Sequence, residues 1–215
     1  MAVAIVAAST QLLTAPLISS LSTPDQDELI RCRLLDILAE LSGLNGATIV
    51  VAVSNLQSPL VDPEFLPAGI DRLIVNGSAN VEETARSIIN RLHAKAFERV
   101  VVIAGDALPV PTSVAATALS ALERAHLVVG PSWGGTWYAV GARDAASLAT
   151  LPRSQAESPE NDTTPTVDPA RAVRFLERRT TFSDIAETAK LRAELSRLKS
   201  PPRALLTWSE RLSDS

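Results

Sequence analysis

The sequence predicts an α/β protein with a doubly wound, largely parallel sheet flanked by helices. Three observations carry that prediction. Short β-branched and apolar runs recur at residues 3–8, 47–53, 100–104 and 126–129. Amphipathic stretches with helical spacing separate them. The runs are almost wholly apolar rather than alternating, as expected of strands covered on both faces. Strands alternating with helices build right-handed βαβ crossovers, hence a parallel sheet. With 215 residues, 46% hydrophobic and 20% charged, the chain has enough apolar mass for one sizeable domain.

The first strand is bounded by Ser9 and Thr10. Thr23-Pro24-Asp25-Gln26 spells a helix start: a threonine cap, proline at the first helical position, and glutamine three residues after the cap. Leu34, Ile37, Leu38 and Leu41 form its stripe, and Gly43 supplies a left-handed exit. Residues 54–69 contain three prolines and read as loop, before a brief strand at Leu73, Ile74 and Val75. Asn80 caps a second helix with Val81, Ala85, Ile88, Ile89, Leu92 and Ala96 on its apolar face. A third helix follows Pro111 and carries Val114, Ala118, Leu119 and Leu122. A further strand starts at Trp137.

Residues 1–150 are thus the core. Residues 151–167, rich in Pro, Ser, Thr, Asn and Glu, read as a mobile loop. Residues 168–215 read as a helical extension completing the same domain, with helices starting at Asp168-Pro169 and at Ser183, ended by Pro201-Pro202, and a tail bearing Trp208.

Charge narrows the function classes. Twenty Lys+Arg against 24 Asp+Glu give a net charge of −4, which argues against a nucleic-acid partner recognised by bulk positive charge. No basic residue precedes Arg31, and no run approaches the ~20 apolar residues of a membrane span. The expectation is a cytoplasmic protein without a secretory signal or membrane partner. Cys32 is the single cysteine, which excludes an internal disulfide and a multi-cysteine metal site.

In a doubly wound sheet, ligands collect at the carboxyl ends of strands. Asp106 follows the strongest interior strand and is flanked by Gly105. An aspartate there can hold a divalent metal or a ribose hydroxyl; equally it can cap a helix or close a turn. Gly134-Gly135 lacks both the G-x-G-x-x-G and the Walker pattern and reads as a turn. Trp133, Trp137 and Tyr138 are three of the four Trp and Tyr residues. They either anchor the sheet edge or offer a flat surface to a sugar, a base or a partner. His93, His126 and Cys32 have no partner motif and read as structural or solvated. Arg171, Arg174 and Arg178 recur at helical intervals, as a solvated face or an anion site.

The stretch Val100-Val-Val-Ile-Ala-Gly-Asp-Ala-Leu-Pro-Val-Pro111, followed by Gly130-Pro-Ser-Trp-Gly-Gly-Thr-Trp-Tyr-Ala-Val-Gly141, resembles an uncharacterised bacterial glycosyltransferase-A-like family. Relatives of that family include molybdenum-cofactor guanylyltransferase and phospholactate guanylyltransferase. Its members typically read Gly-Ser/Thr-Asp-Ser-Pro-x-Leu-Pro and Gly-Pro-x-x-Asp-Gly-Gly-Tyr-Tyr-Leu-x-Gly. The second motif retains Gly130, Pro131, Gly135, Tyr138 and Gly141, with Trp137 for a tyrosine. The resemblance implies a Rossmann-like, glycosyltransferase-A-type mixed, mostly parallel sheet and a nucleotide or sugar-nucleotide ligand.

The departures fall on charged positions. Where the family carries Lys-Thr-Arg-Leu, this chain has Thr14-Ala15-Pro16-Leu17, and residues 9–22 hold no charge at all. Gly134 replaces the motif aspartate. The nearest equivalent of a family Asp-x-Asp-Thr is Arg178-Arg179-Thr180-Thr181. Phosphoryl-type chemistry needs Mg²⁺ and cationic side chains, and each lost transition-state contact costs on the order of 10²–10³ in rate. Asp106 alone should hold a metal weakly unless Asp62, Glu64 or Asp162 joins it.

The candidate site is therefore Asp106 as catalytic residue and weak metal ligand, with Ser9, Thr10, Thr14, Gly105, Ser132, Gly134, Gly135, Trp137, Tyr138 and Arg178 around the ligand. Three readings follow. The first is a transferase-like protein, catalytically reduced, that works through binding as a homodimer or with a partner protein. The second is an active transferase using Asp106 with Arg178 and Arg179, needing Mg or Mn only in that case. The third is an enzyme taking an uncharged ligand in the neutral first loop.

Overall fold

The computed structural model describes residues 3–8, 21–53, 69–75, 81–144, 146–151, 167–168, 173–182, 185, 188–198 and 202–211. Ser9, Thr10, Thr14, Asp62, Glu64, Asn80, Asp162, Arg171 and Ser183 lie outside the described residues.

Valine-rich runs form the centre of the sheet because β-branched side chains fit a pleated surface covered from both sides. The strands are β1 (Val3–Ala8), β2 (Thr48–Val53), β3 (Asp71–Ile74), β4 (Arg99–Ile103), β5 (Leu127–Pro131), β6 (Trp137–Ala142), β7 (Val167–Asp168) and β8 (Val173–Phe175). They form one sheet in the order β3-β2-β1-β4-β6-β5-β8-β7. Pairing is parallel from β3 through β4 and between β5 and β8. β6 runs antiparallel to both of its neighbours, and β7 antiparallel to β8. The sheet is thus mixed and mostly parallel.

Helices cover both faces. On one, α2 (Val81–His93) contributes Ala85, Ile88, Ile89 and Leu92 to a core with Val6, Val50, Val100, Val102 and Val129. On the other, α1 (Thr23–Leu41) and α3 (Thr112–Ala121) pack Leu34, Ile37, Leu41, Ala115 and Ala118 against Ile5, Val51, Val101 and Val128. A third apolar cluster joins α1 to α4 (Thr188–Arg197) and α5 (Arg203–Arg211) through Leu29, Cys32, Leu108, Phe182, Ile185, Leu191, Leu195, Leu205 and Trp208.

Several local expectations need correction. The cap of α1 is Ser22, whose hydroxyl accepts from the Asp25 amide at 3.4 Å; Pro24 therefore stands second in the helix, where its missing N–H still costs nothing. Gly43 does not exit left-handed. The left-handed residue of the α1–β2 connection is Gly46, at φ 79°. The residues around Asp168 form β7 and β8, not a helix, because Leu127, Val128 and Val129 offer an open edge that residues 173–175 fill in parallel. Arg174 is therefore on a strand and Arg178 follows it in irregular backbone, so the arginine spacing does not mark a helical face. The tail carrying Trp208 is helical, as α5, and Trp208 is buried.

Candidate functional site

The two loops leaving β4 and β5 meet at one end of the sheet, and residues 177–182 connect them. After β4, the amide of Ala104 donates to the Tyr138 carbonyl at 2.9 Å and that of Ala107 to the Ala104 carbonyl at 3.2 Å, so Gly105 and Asp106 occupy a tight, buried turn. The Phe182 amide donates to the Asp106 carbonyl at 2.7 Å, and Ala107 bridges Thr181.

Asp106 is only 6% exposed, and Arg33 on α1 is wholly buried beside it. The guanidinium donates from Nε to the Ala107 carbonyl at 2.7 Å and from an Nη to the Ala104 carbonyl at 2.5 Å. Burial pulls the Arg33 pKa down to about 10, with the Asp106 charge pushing against that shift, so the group stays cationic at neutral pH. A buried carboxylate is tolerated when a cation compensates it, and here the cation belongs to the protein. Arg33 escapes a reading of the sequence because arginine on a helix usually faces water. The one signal is its register: it stands four residues after Leu29 and four before Ile37, on the apolar stripe.

The second loop runs from Pro131 to Thr136. The Ser132 amide donates to the Thr136 carbonyl at 2.8 Å, the Thr136 amide to Ser132 Oγ at 3.0 Å, and the two hydroxyls lie 2.9 Å apart. Gly135 takes φ 92°, a conformation that favours glycine. Gly134 and Trp133 sit at its exposed tip. Residues 177–180 run alongside: the Arg179 amide donates to the Pro131 carbonyl at 3.0 Å and the Trp133 amide to the Arg179 carbonyl at 3.2 Å. The Arg178 guanidinium stands 5.1 Å from the Trp133 ring centroid, within reach of the attraction between a cation and an aromatic face.

The structure therefore brings together Gly105, Asp106, Ser132, Gly134, Gly135 and Arg178, from three segments far apart in sequence. Trp137 and Tyr138 belong to the core instead, with relative exposures of 3% and 1%. The Tyr138 hydroxyl donates to the Glu177 carbonyl at 3.0 Å, and burial pushes its pKa well above the usual phenol value. A Cβ on Gly130 would meet the Tyr138 ring at 2.6 Å, so the glycine and the tyrosine of the motif are a packing pair. Trp133, at 59%, is the exposed member of the aromatic group.

Neither histidine lies in these segments. His93 places Nδ1 2.7 Å from the Phe97 carbonyl at the end of α2, and His126 faces Asp144 at 3.7 Å. Cys32 is buried under α5, its thiol pushed up to about 11 by burial and by Glu28 and Asp36. Among the described residues no three His, Cys, Asp or Glu side chains gather to hold a metal ion. Among the described residues of these loops, Asp106 is the buried carboxylate, with a buried guanidinium next to it and arginines at positions 178 and 179, a donor set that suits a divalent cation poorly.

The model of a family described as "Uncharacterized protein conserved in bacteria (DUF2064)" matches residues 37–155. No curated protein matches the sequence. Among solved structures, the chain is similar to a protein of Desulfovibrio desulfuricans G20 described as a nucleotide-diphospho-sugar transferase, with TM-score 0.72 and 18% identity over 100% of this chain and 96% of that one. It is also similar to a Thermus thermophilus protein titled mannose-1-phosphate geranyltransferase, with TM-score 0.54 and 14% identity over 92% and 80%. A third is the Rv0371c homologue of Mycobacterium sp. strain JC1, with TM-score 0.52 and 15% identity over 98% of each chain. At such identities the likeness is one of fold: a nucleotidyl- and glycosyltransferase-like architecture.

Proposed function

The chain belongs to the DUF2064 family, and from that membership and its transferase-like fold we propose that it is a catalytically reduced member that acts by binding. The observation that carries this reading is the charge around Asp106. Its buried neighbour is Arg33, and the segment hydrogen-bonded to its loop bears Arg178 and Arg179. Polyphosphate transfer draws on carboxylates that fix a divalent ion against the leaving phosphate. Here the buried guanidinium beside the carboxylate opposes the approach of Mg²⁺ or Mn²⁺.

What remains is a surface for recognition. Exposed Trp133 and half-buried Arg178 form an aromatic and cationic pair at the mouth of the two loops. A sugar-nucleotide or nucleotide base stacks on an indole, and guanidinium reads an anion in a two-pronged geometry. In this reading residues 168–215 complete the domain begun by residues 1–150, and the protein serves in the cytoplasm as a homodimer or beside a partner subunit. Among the described residues no helix is long and apolar enough to cross a membrane.

The test is turnover of nucleoside triphosphates and sugar nucleotides with Mg²⁺ or Mn²⁺, in the native protein and in Asp106→Ala. Both should match the protein-free blank. Metal-dependent turnover that Asp106→Ala abolishes would overturn this reading and establish an active transferase with altered ligation.

A further inference from the structure

Helix α1 presents two buried ionic side chains one turn apart, and they hold different parts of the molecule. Arg33 grips the Asp106 loop. Asp36, 7% exposed, accepts from the amides of Ala204 at 3.0 Å and Leu205 at 2.8 Å. Those amides open α5, so the cap of this helix comes from a side chain 168 residues away in sequence, not from the residue that precedes the helix. A nine-residue helix is too short to persist in water unaided. Its existence depends on docking.

The docked helix covers a particular part of the core. Leu205 and Trp208 pack in the cluster that holds Leu29 and Cys32 of α1, Leu108 two residues beyond Asp106, and Phe182, whose amide holds the Asp106 carbonyl. Polar contacts also tie α5 to α4 and α1: the Arg192 guanidinium donates to the Ser209 carbonyl at 2.8 Å, and Arg211 pairs with Glu28 at 3.2 Å. The inner side of α5 is thus the back wall of the place where the Asp106 loop meets residues 181–182.

We propose that α5 is a reversible latch: Asp36 holds it down, and its local release exposes Cys32 and loosens the junction between the Asp106 loop and Phe182 without unfolding the sheet. A short helix held by one apolar cluster and side-chain contacts opens at lower free energy than the strands of a core, whose backbone is paired on both sides. Release of α5 strips the cover from Leu108 and Phe182, while the clusters between the sheet and α1, α2 and α3 stay intact. The latch stands independently of the binding reading; only its consequence for a ligand at Trp133 and Arg178 rests on it.

Cys32 is a built-in reporter, because it is the single thiol and lies beneath α5. The experiment is the rate at which an aromatic disulfide reagent modifies Cys32 in the full native chain, across low urea concentrations. It is run on the unaltered protein and on Asp36→Ala, alongside hydrogen exchange of the amides of 203–211 and of 100–103. Modification should proceed through an opening that depends on urea much less than global unfolding does. Asp36→Ala should accelerate it about tenfold, the typical effect of a lost helix cap, with exchange rising in 203–211 but not in 100–103. If Cys32 reacts only at the rate of global unfolding, or if the two sets of amides accelerate together, the latch is refuted. The measurement on the unaltered protein decides the matter even if Asp36→Ala fails to fold. A nucleotide that protects neither variant would count against the binding reading and leave the latch standing.

Discussion

Arg33 and Asp106 set the chemistry of the site at the level of single side chains. An arginine removed from water costs several kcal/mol unless every donor and the charge itself are answered. Here two carbonyls and a carboxylate answer it. Arg33→Met should therefore destabilise the protein by about 3–5 kcal/mol, read as a shift in the urea midpoint, because it strands both carbonyls and the Asp106 charge. Adding Asp106→Asn to Arg33→Met should recover part of that loss, since the stranded charge goes with it. If Asp106→Asn changes stability by the same amount in the unaltered protein and in Arg33→Met, the two side chains are not coupled. Sequence reading found Asp106 from its place after a buried strand, and missed Arg33 because an arginine carries no outward mark of burial. Gly134 and Gly135 were legible as a turn; that Arg178 would reach Trp133 was not, since the contact is made by backbone that has no repeating pattern.

Elements were legible where local pattern and tertiary environment agree. The run at 3–8 is β1 as read, the run at 47–53 differs from β2 by one residue at its start, and the run at 100–104 differs from β4 by one residue at each end. Their β-branched composition states the fold twice, once as propensity and once as burial. β7 and β8 were illegible for the opposite reason. Three or fewer residues each, they exist because the β5 edge needs a partner, and Arg174 on β8 stands in sequence at helical intervals from Arg171 and Arg178. The end of α2 shows what a sequence conceals in a cap. Ala96 is left-handed, at φ 66°, and the Phe97 amide reaches back to the Leu92 carbonyl at 3.1 Å, a helix stop that ordinarily uses glycine. Ala96→Gly should raise stability by about 1 kcal/mol in chemical denaturation. An unchanged or lower midpoint would mean that the alanine methyl repays its strain.

Across the whole molecule, alkaline pH probes the seal made by the C-terminal helices. The Cys32 thiol titrates at about 11 in the fold against about 9 when exposed, so the fold favours the protonated form. Its contribution is complete below pH 9 and disappears as pH rises toward 11, because the unfolded chain ionises first. The unfolding free energy should fall by up to about 2 kcal/mol over that window, and Cys32→Ala should remove that part of the slope. An identical slope in the variant would place the loss elsewhere. The order of the sheet has a different consequence, for synthesis. β6 alone bridges β4 to β5, and it lies some forty residues downstream of β4. Until it emerges from the ribosome, the backbone of Val100 to Ile103 is paired on the β1 side only and offers an open strand edge to any neighbouring nascent chain. A pause in translation that delays the emergence of residues 137–142 therefore prolongs the exposure of that edge.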